Sequence, residues 1–154
     1  MIKVALKNSK SGKDLLSQDN GEGPVLITST YGAANGHFKA ETLTAAGSVT
    51  VVAPLTGDGV VLTDLIMTTD KTNGATATVI ITDGTNSITL VSGDMTNAPV
   101  NIAIPFGGLW QGWRSAAVQL DMVGANGTAT LAIGYYHTQQ KDTLTFSEWD
   151  ALRL

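Results

Sequence analysis

The chain has 154 residues, of which 43% are hydrophobic and 14% charged, with a formal net charge of −4 and no cysteine. A domain of this length hides roughly two-thirds of the surface of its unfolded chain, so a full core can form without covalent staples. The missing cysteine excludes disulfides, thiolate nucleophiles and cysteine-ligated zinc; the low charge, against about 25% in ordinary domains, suits either burial against neighbours or a surface in which Thr, Ser, Asn and Gly supply polarity.

Lys3, Lys7, Lys10 and Lys13 all precede the first acid, Asp14, and the remainder carries five bases against thirteen acids. A basic arm therefore leads into an acidic body. That body lacks the clustered basic face that displaces counterions from phosphates, so no nucleic-acid partner is expected. The four lysines can touch an acidic protein surface or simply stay solvated. No segment approaches the roughly 20 apolar residues of a membrane span, and no secretory signal opens the chain. No membrane partner is expected, and the cytoplasm is the expected site of assembly.

Along residues 1–36, Ile2, Val4 and Leu6 alternate as a short edge strand would. Asn8 to Gly23 is polar and without period, and reads as an arm. Pro24 to Thr30 is another candidate strand, and Tyr31 to Gly36 a hinge or long loop whose far side Phe38 anchors.

Residues 37–138 form the expected β-sandwich domain, and from about Gly47 to His137 they carry strand grammar throughout: short runs of period-two alternation broken by turn residues. In Thr76 to Thr82, Ala77, Val79 and Ile81 point one way and the threonines the other. The same pattern sets inward Ile88 and Leu90; Val100, Ile102 and Ile104; Val118, Leu120 and Met122; and Ala129, Leu131, Ile133 and Tyr135. Ser48 to Ala53 and Val60 to Thr68 precede them, the latter apolar on both faces at its start and hence central or covered. Seven strands result. Asp58-Gly59, Asn73-Gly74, Asp83-Gly84 and Asn126-Gly127 accept positive φ readily, as tight reversals require. Strand starts recur too closely for helical crossovers, so the expected fold is all-β, a jelly-roll-like antiparallel β-sandwich, with an immunoglobulin-like sandwich as the alternative.

Pro105 to Arg114 places Trp110, Trp113 and Arg114 in a glycine-rich connection. Trp and Arg are enriched at binding hot spots, which makes these three candidate partner-binding residues, either for protein or for stacking on sugar rings. The competing reading is a loop that closes one end of the sandwich with a tryptophan as its plug. Residues 139–154 form a tail into which Leu144, Phe146, Trp149, Leu152 and Leu154 crowd. Ser147 with Asp150 three residues on has the look of an N-cap, predicting one or two helical turns over Glu148 to Leu152. So short a helix must dock on its own domain or on a partner.

No catalytic, metal or cofactor site can be assembled. His37 and His137 are the only histidines and lack second ligands at a metal spacing. Asp83-Gly84-Thr85-Asn86 echoes a calcium loop but lacks its acids and closing glutamate. No nucleophile elbow, phosphate loop or dinucleotide fingerprint occurs, so the chain reads as a non-enzyme.

Val60 to Ile66, the strand ending in Asp83-Gly84, Pro105-Phe106 before the tryptophan segment, and the closing Gly127 to Tyr136 strand together resemble small virion proteins of tailed bacteriophages, the capsid decoration or cement proteins. The resemblance is one of strand order over roughly Gly47 to Thr138. It implies a homo-oligomer, commonly a trimer, that binds the major capsid protein on the virion surface, with the arm and the tail reaching over subunit seams. A receptor- or glycan-binding module of a phage fibre or tail is the alternative.

Overall fold

The computed structural model describes residues 36–138 and 143–152. Eight strands and one helix follow in chain order: β1 (His37–Leu43), β2 (Gly47–Val52), β3 (Gly59–Thr69), β4 (Ala75–Thr82), β5 (Ser87–Asp94), β6 (Asn101–Arg114), β7 (Ala117–Gly124), β8 (Ala129–His137) and α1 (Phe146–Ala151). They build two four-stranded antiparallel sheets, ordered β1-β8-β3-β6 and β2-β7-β4-β5.

The pairing is nested: β4 with β5, β3 with β6, β2 with β7 and β1 with β8. Each partner set lies outside the previous one in sequence, as in one long ribbon of paired strands rolled on itself. Pairings between ribbon segments, β3 with β8 and β4 with β7, then close the two sheets. This is the jelly roll, and it replaces the immunoglobulin alternative, whose seven strands divide four and three between its sheets.

Alternation in the sequence sets the core. Ala77, Val79 and Ile81 of β4, Leu65 and Met67 of β3, Val118, Leu120 and Met122 of β7, and Leu131 and Ile133 of β8 are all buried between the sheets. On β3, Val60, Val61 and Leu62 are buried in succession, as the apolar start of that strand predicts. Two of the four expected tight turns take the positive-φ form, with Gly74 and Gly84 at φ 76° and 89°, whereas Gly59 opens β3 and neither it nor Gly127 has a positive φ.

Three sequence expectations need correction. An eighth strand, β1, occupies His37–Leu43 where only an anchoring Phe38 was expected. It sits at a sheet edge, where the Lys39–Glu41 ion pair at 3.5 Å lies on the side facing the opposite sheet. Two of its inward positions, Lys39 and Glu41, are charged and only Leu43 packs on the core, so no apolar alternation announces it. Second, Pro105 to Arg114 is the last ten residues of the 14-residue edge strand β6 and not a free connection. Third, the helix spans Phe146–Ala151 and its N-cap is Thr145 in place of Ser147. The candidate strands at 2–6 and 24–30 and the lysines Lys3, Lys7, Lys10 and Lys13 lie outside the described residues, as does Leu154.

A candidate docking site on edge strand β6

β6 does not keep step with its neighbour. Asp64 of β3 faces Pro105, whereas Leu62 faces Trp110, so β6 spends five residues where β3 spends two. The surplus, Phe106 to Leu109, leaves the ladder as a protrusion. Gly107 and Gly108 make it possible, with φ of 62° and 76°, a region that side chains with a Cβ rarely enter. Leu109, its last residue before pairing resumes at Trp110, is 93% exposed. Leaving such a side chain in water forgoes on the order of 1.5 to 3 kcal/mol of burial.

Beyond Leu109 the strand turns inward again. Trp110 is half-buried, its ring centroid 6.2 Å from Phe106 and 6.1 Å from Trp149. Trp113 is fully buried and donates its indole N–H to Asp83 Oδ2 at 2.8 Å. Gly112, between them, allows close approach to the opposite sheet, since a Cβ there would lie 2.5 Å from Ile81 Cδ1. Trp113 therefore plugs the end of the sandwich and offers no surface for recognition.

The tail completes the site from the other side. Thr145 closes a capping box with Glu148: the Glu148 N–H donates to Thr145 Oγ1 at 3.4 Å, and the Thr145 N–H donates to Glu148 Oε2 at 2.8 Å. These bonds, from the Thr145 backbone and hydroxyl, with Arg114 adding a favourable charge, hold the Glu148 carboxyl below its ordinary range against slight desolvation. Phe146 and Trp149, three residues apart and so on one helix face, pack on Trp113 at centroid distances of 4.9 and 5.0 Å.

Hydrogen bonds tie this segment to its own domain. Trp149 Nε1 donates to the Gln111 carbonyl at 2.8 Å, the Arg114 N–H to the Leu144 carbonyl at 2.7 Å, and Arg114 Nη2 to the Thr143 carbonyl at 3.0 Å. Buried Thr143 accepts the Gly59 N–H on its hydroxyl at 3.2 Å. The tail thus docks in cis, and Leu144, Phe146, Trp113 and Arg114 are occupied inside the domain. Leu152, one turn beyond Trp149, is 75% exposed.

The structure brings together two features whose contacts span 29 to 39 residues of sequence: the tryptophan segment and the C-terminal tail. Their outer surface carries Leu109, Leu152 and the accessible parts of Trp110 and Trp149, together with the exposed Ser147, Glu148 and Asp150 of α1. Leu109 is absent from the candidates named from sequence; its signal was the Gly107-Gly108 pair holding a leucine in a segment otherwise rich in tryptophan.

Other candidate chemistry finds structural uses. Both Asp83 carboxylate oxygens are engaged: Oδ1 accepts the N–H groups of Thr85 and Asn86 at 2.9 and 2.7 Å, and Oδ2 accepts Asn86 Nδ2 at 3.0 Å besides Trp113. Partial burial pushes this carboxyl up, but the Asn86, Thr85 and Trp113 donors outweigh it and lower it to about 2. The former calcium-loop candidate is therefore a carboxylate-centred turn. His37 and His137 flank Tyr135, with ring centroids 5.4 and 5.5 Å from it. Among the described residues, no group of three or more His, Asp or Glu side chains is placed to hold a metal ion.

No protein-family model matches the chain, and no curated protein matches it. The site is consequently read from its own geometry. The indole N–H groups of Trp113 and Trp149 are both engaged within the domain, and the exposed surface sets Leu109 and Leu152 beside Ser147, Glu148 and Asp150 of α1. Trp110 and Trp149 meet edge-on at 67°, so they present no shared flat floor to a sugar ring.

Proposed function

We propose that this chain is a non-enzymatic virion structural protein that binds and stabilises a tailed-bacteriophage capsid, and that the protrusion of β6 with Leu152 of the tail is its docking point. The observation that carries this reading is Leu109, 93% exposed at the end of a strand excursion built on two left-handed glycines. A soluble domain gains nothing from holding a leucine there. A partner with an apolar recess gains a rigid anchor whose ordering has already been accomplished by the scaffold. The jelly roll supplies that rigidity, and it is a fold used in capsid proteins, although also in lectins.

The direct test is co-sedimentation of the purified protein with shells assembled from the major capsid protein of the same genome. The expected result is saturable binding that Leu109→Asp reduces at least about tenfold, because an unpaired carboxylate cannot be desolvated without cost. Absence of binding to the shell, or binding indifferent to Leu109→Asp and to Leu152→Asp, overturns the reading. A glycan platform would instead reveal itself on a glycan array by binding that depends on Trp110.

A further inference from the structure

We infer that β1 is an acid-releasable strand, fastened to β8 at one end by a histidine latch that lets go when His137 takes up a proton. The strand is weakly held by construction. None of the seven residues of β1 is buried. Its core-side residues are His37, Lys39, Glu41 and Leu43, opposite Tyr135, Ile133, Leu131 and Ala129 of β8. Of these four, Leu43 alone packs on the core, and the Lys39–Glu41 pair is largely solvated, so it adds little. Leu43 pins one end of the strand, and His37 must pin the other.

His37 meets Tyr135 at a ring-centroid distance of 5.4 Å, and Tyr135 meets His137 at 5.5 Å, edge-on at 86°. The row of rings ends against the β2–β3 loop, where the His137 ring bonds with the Ala53 main chain. Its Nε2 is buried and has no hydrogen-bond partner. A neutral imidazole tolerates this, because that nitrogen is then only a bare acceptor. In the protonated ring both nitrogens are donors, and a charged donor buried without an acceptor is costly.

The surrounding groups do not remove that cost. His37 of β1 repels the added charge, and Asp58 of the β2–β3 loop attracts it. From β3 the register partner is the apolar Val60. Arg114, at the end of β6, is turned to the Thr143 carbonyl. Burial outweighs Asp58 and the Ala53 bond together, and holds the ring below its ordinary 6.5. Once opened, the ring meets water and protonates at that ordinary value, so acid favours the open form from about 6.5 downward. Opening parts His37 and Phe38 from Tyr135 and Gly134. The freed N–H and C=O groups of β8 become a new sheet edge, of the kind to which another strand can add.

This device requires no shell and is independent of the capsid reading. Hydrogen exchange of the full chain, read by mass spectrometry on peptides from β1, the Ala53–Asp58 loop and β4, tests it. The expected result is that β1 and the loop exchange ahead of β4 throughout. After correction for intrinsic rates, their opening becomes at least about threefold more populated between about pH 7.5 and pH 5. In His137→Gln, which cannot take up the proton, that pH dependence disappears whatever the basal rate of opening. Exchange of β1 only at the pace of β4, opening indifferent to pH, or the full pH dependence persisting in His137→Gln overturns the inference.

Discussion

The carboxylate of Asp83 accepts the indole N–H of Trp113 at 2.8 Å, and this bond joins the β4–β5 turn of one sheet to the edge strand of the other. It also fixes the ring on which Phe146 and Trp149 rest. A single acceptor therefore orients the turn, the plug of the sandwich and the seat of the tail.

Replacing Asp83 by Ala leaves the buried Trp113 N–H and the turn donors without their acceptor. The expected loss is about 2 to 3 kcal/mol, measured by chemical denaturation, and the near-ultraviolet signal of the tryptophans changes with it. Trp113→Ala removes the plug itself and costs about 3 to 5 kcal/mol. An unchanged denaturation midpoint for Asp83→Ala contradicts the assigned role.

The same carboxylate gives an acid limb. Its folded value lies near 2 against an ordinary 3.8, so the stabilisation is fully present above about 3.8 and is lost as pH falls through the interval down to about 2. Because Asp83 is partly solvated, screening reduces the effect to about 1 kcal/mol. Melting temperatures from pH 5 to pH 2 should fall less steeply in Asp83→Asn than in the parent chain.

His137 acts in a higher range. Burial lowers its pKa from 6.5, opposed by the hydrogen bond with the Ala53 main chain and by Asp58, and reinforced by His37. Its Nε2 is buried without a hydrogen-bond partner. The unfolded chain thus takes up this proton more readily, and stability declines as pH drops below about 6.5. In His137→Gln the slope of melting temperature between pH 7 and pH 5 should flatten; persistence of the full slope would assign it elsewhere.

Leu109→Asp and Leu152→Asp separate docking from folding. Both side chains are exposed, and changes at such positions usually alter stability by no more than about 0.5 kcal/mol. Parent-like melting with lost shell binding is the expected pattern. By contrast, Gly124→Ala should be expressed poorly or melt far lower. Its φ is 92°, and a Cβ there would lie 1.9 Å from the Gly74 carbonyl oxygen.

Most of the sandwich was legible because alternation is a direct record of two-sided strands: Thr76 to Thr82 reads out Ala77, Val79 and Ile81 as its buried face, with Ile80 as the one apolar residue on the other side. β1 was hidden because its inward positions, Lys39 and Glu41, hang beyond the opposite sheet's cover and need not be apolar. β6 was misread at Pro105 to Arg114 because glycine and proline mark turns in general, whereas here they shape an excursion within an edge strand, where proline costs no ladder bond if its nitrogen faces outward. The helix start was placed two residues late because Ser147 and Thr145 both satisfy the local pattern, and only the Glu148 side chain, three residues after Thr145, completes the reciprocal pair. The docking of Trp149 on Gln111 is a long-range contact that no local pattern encodes.

The outermost ribbon pair has a practical corollary. His37, at the start of β1, lies opposite Tyr135, near the end of β8, and the Thr138 N–H donates to the Gly59 carbonyl at the same pole. The start of β1 and the end of β8 consequently lie on one side of the domain. Fluorescent or antigenic cargo attached at either of these strand ends would be displayed with a common polarity, leaving the β3–β4 and β7–β8 turns at the far pole clear.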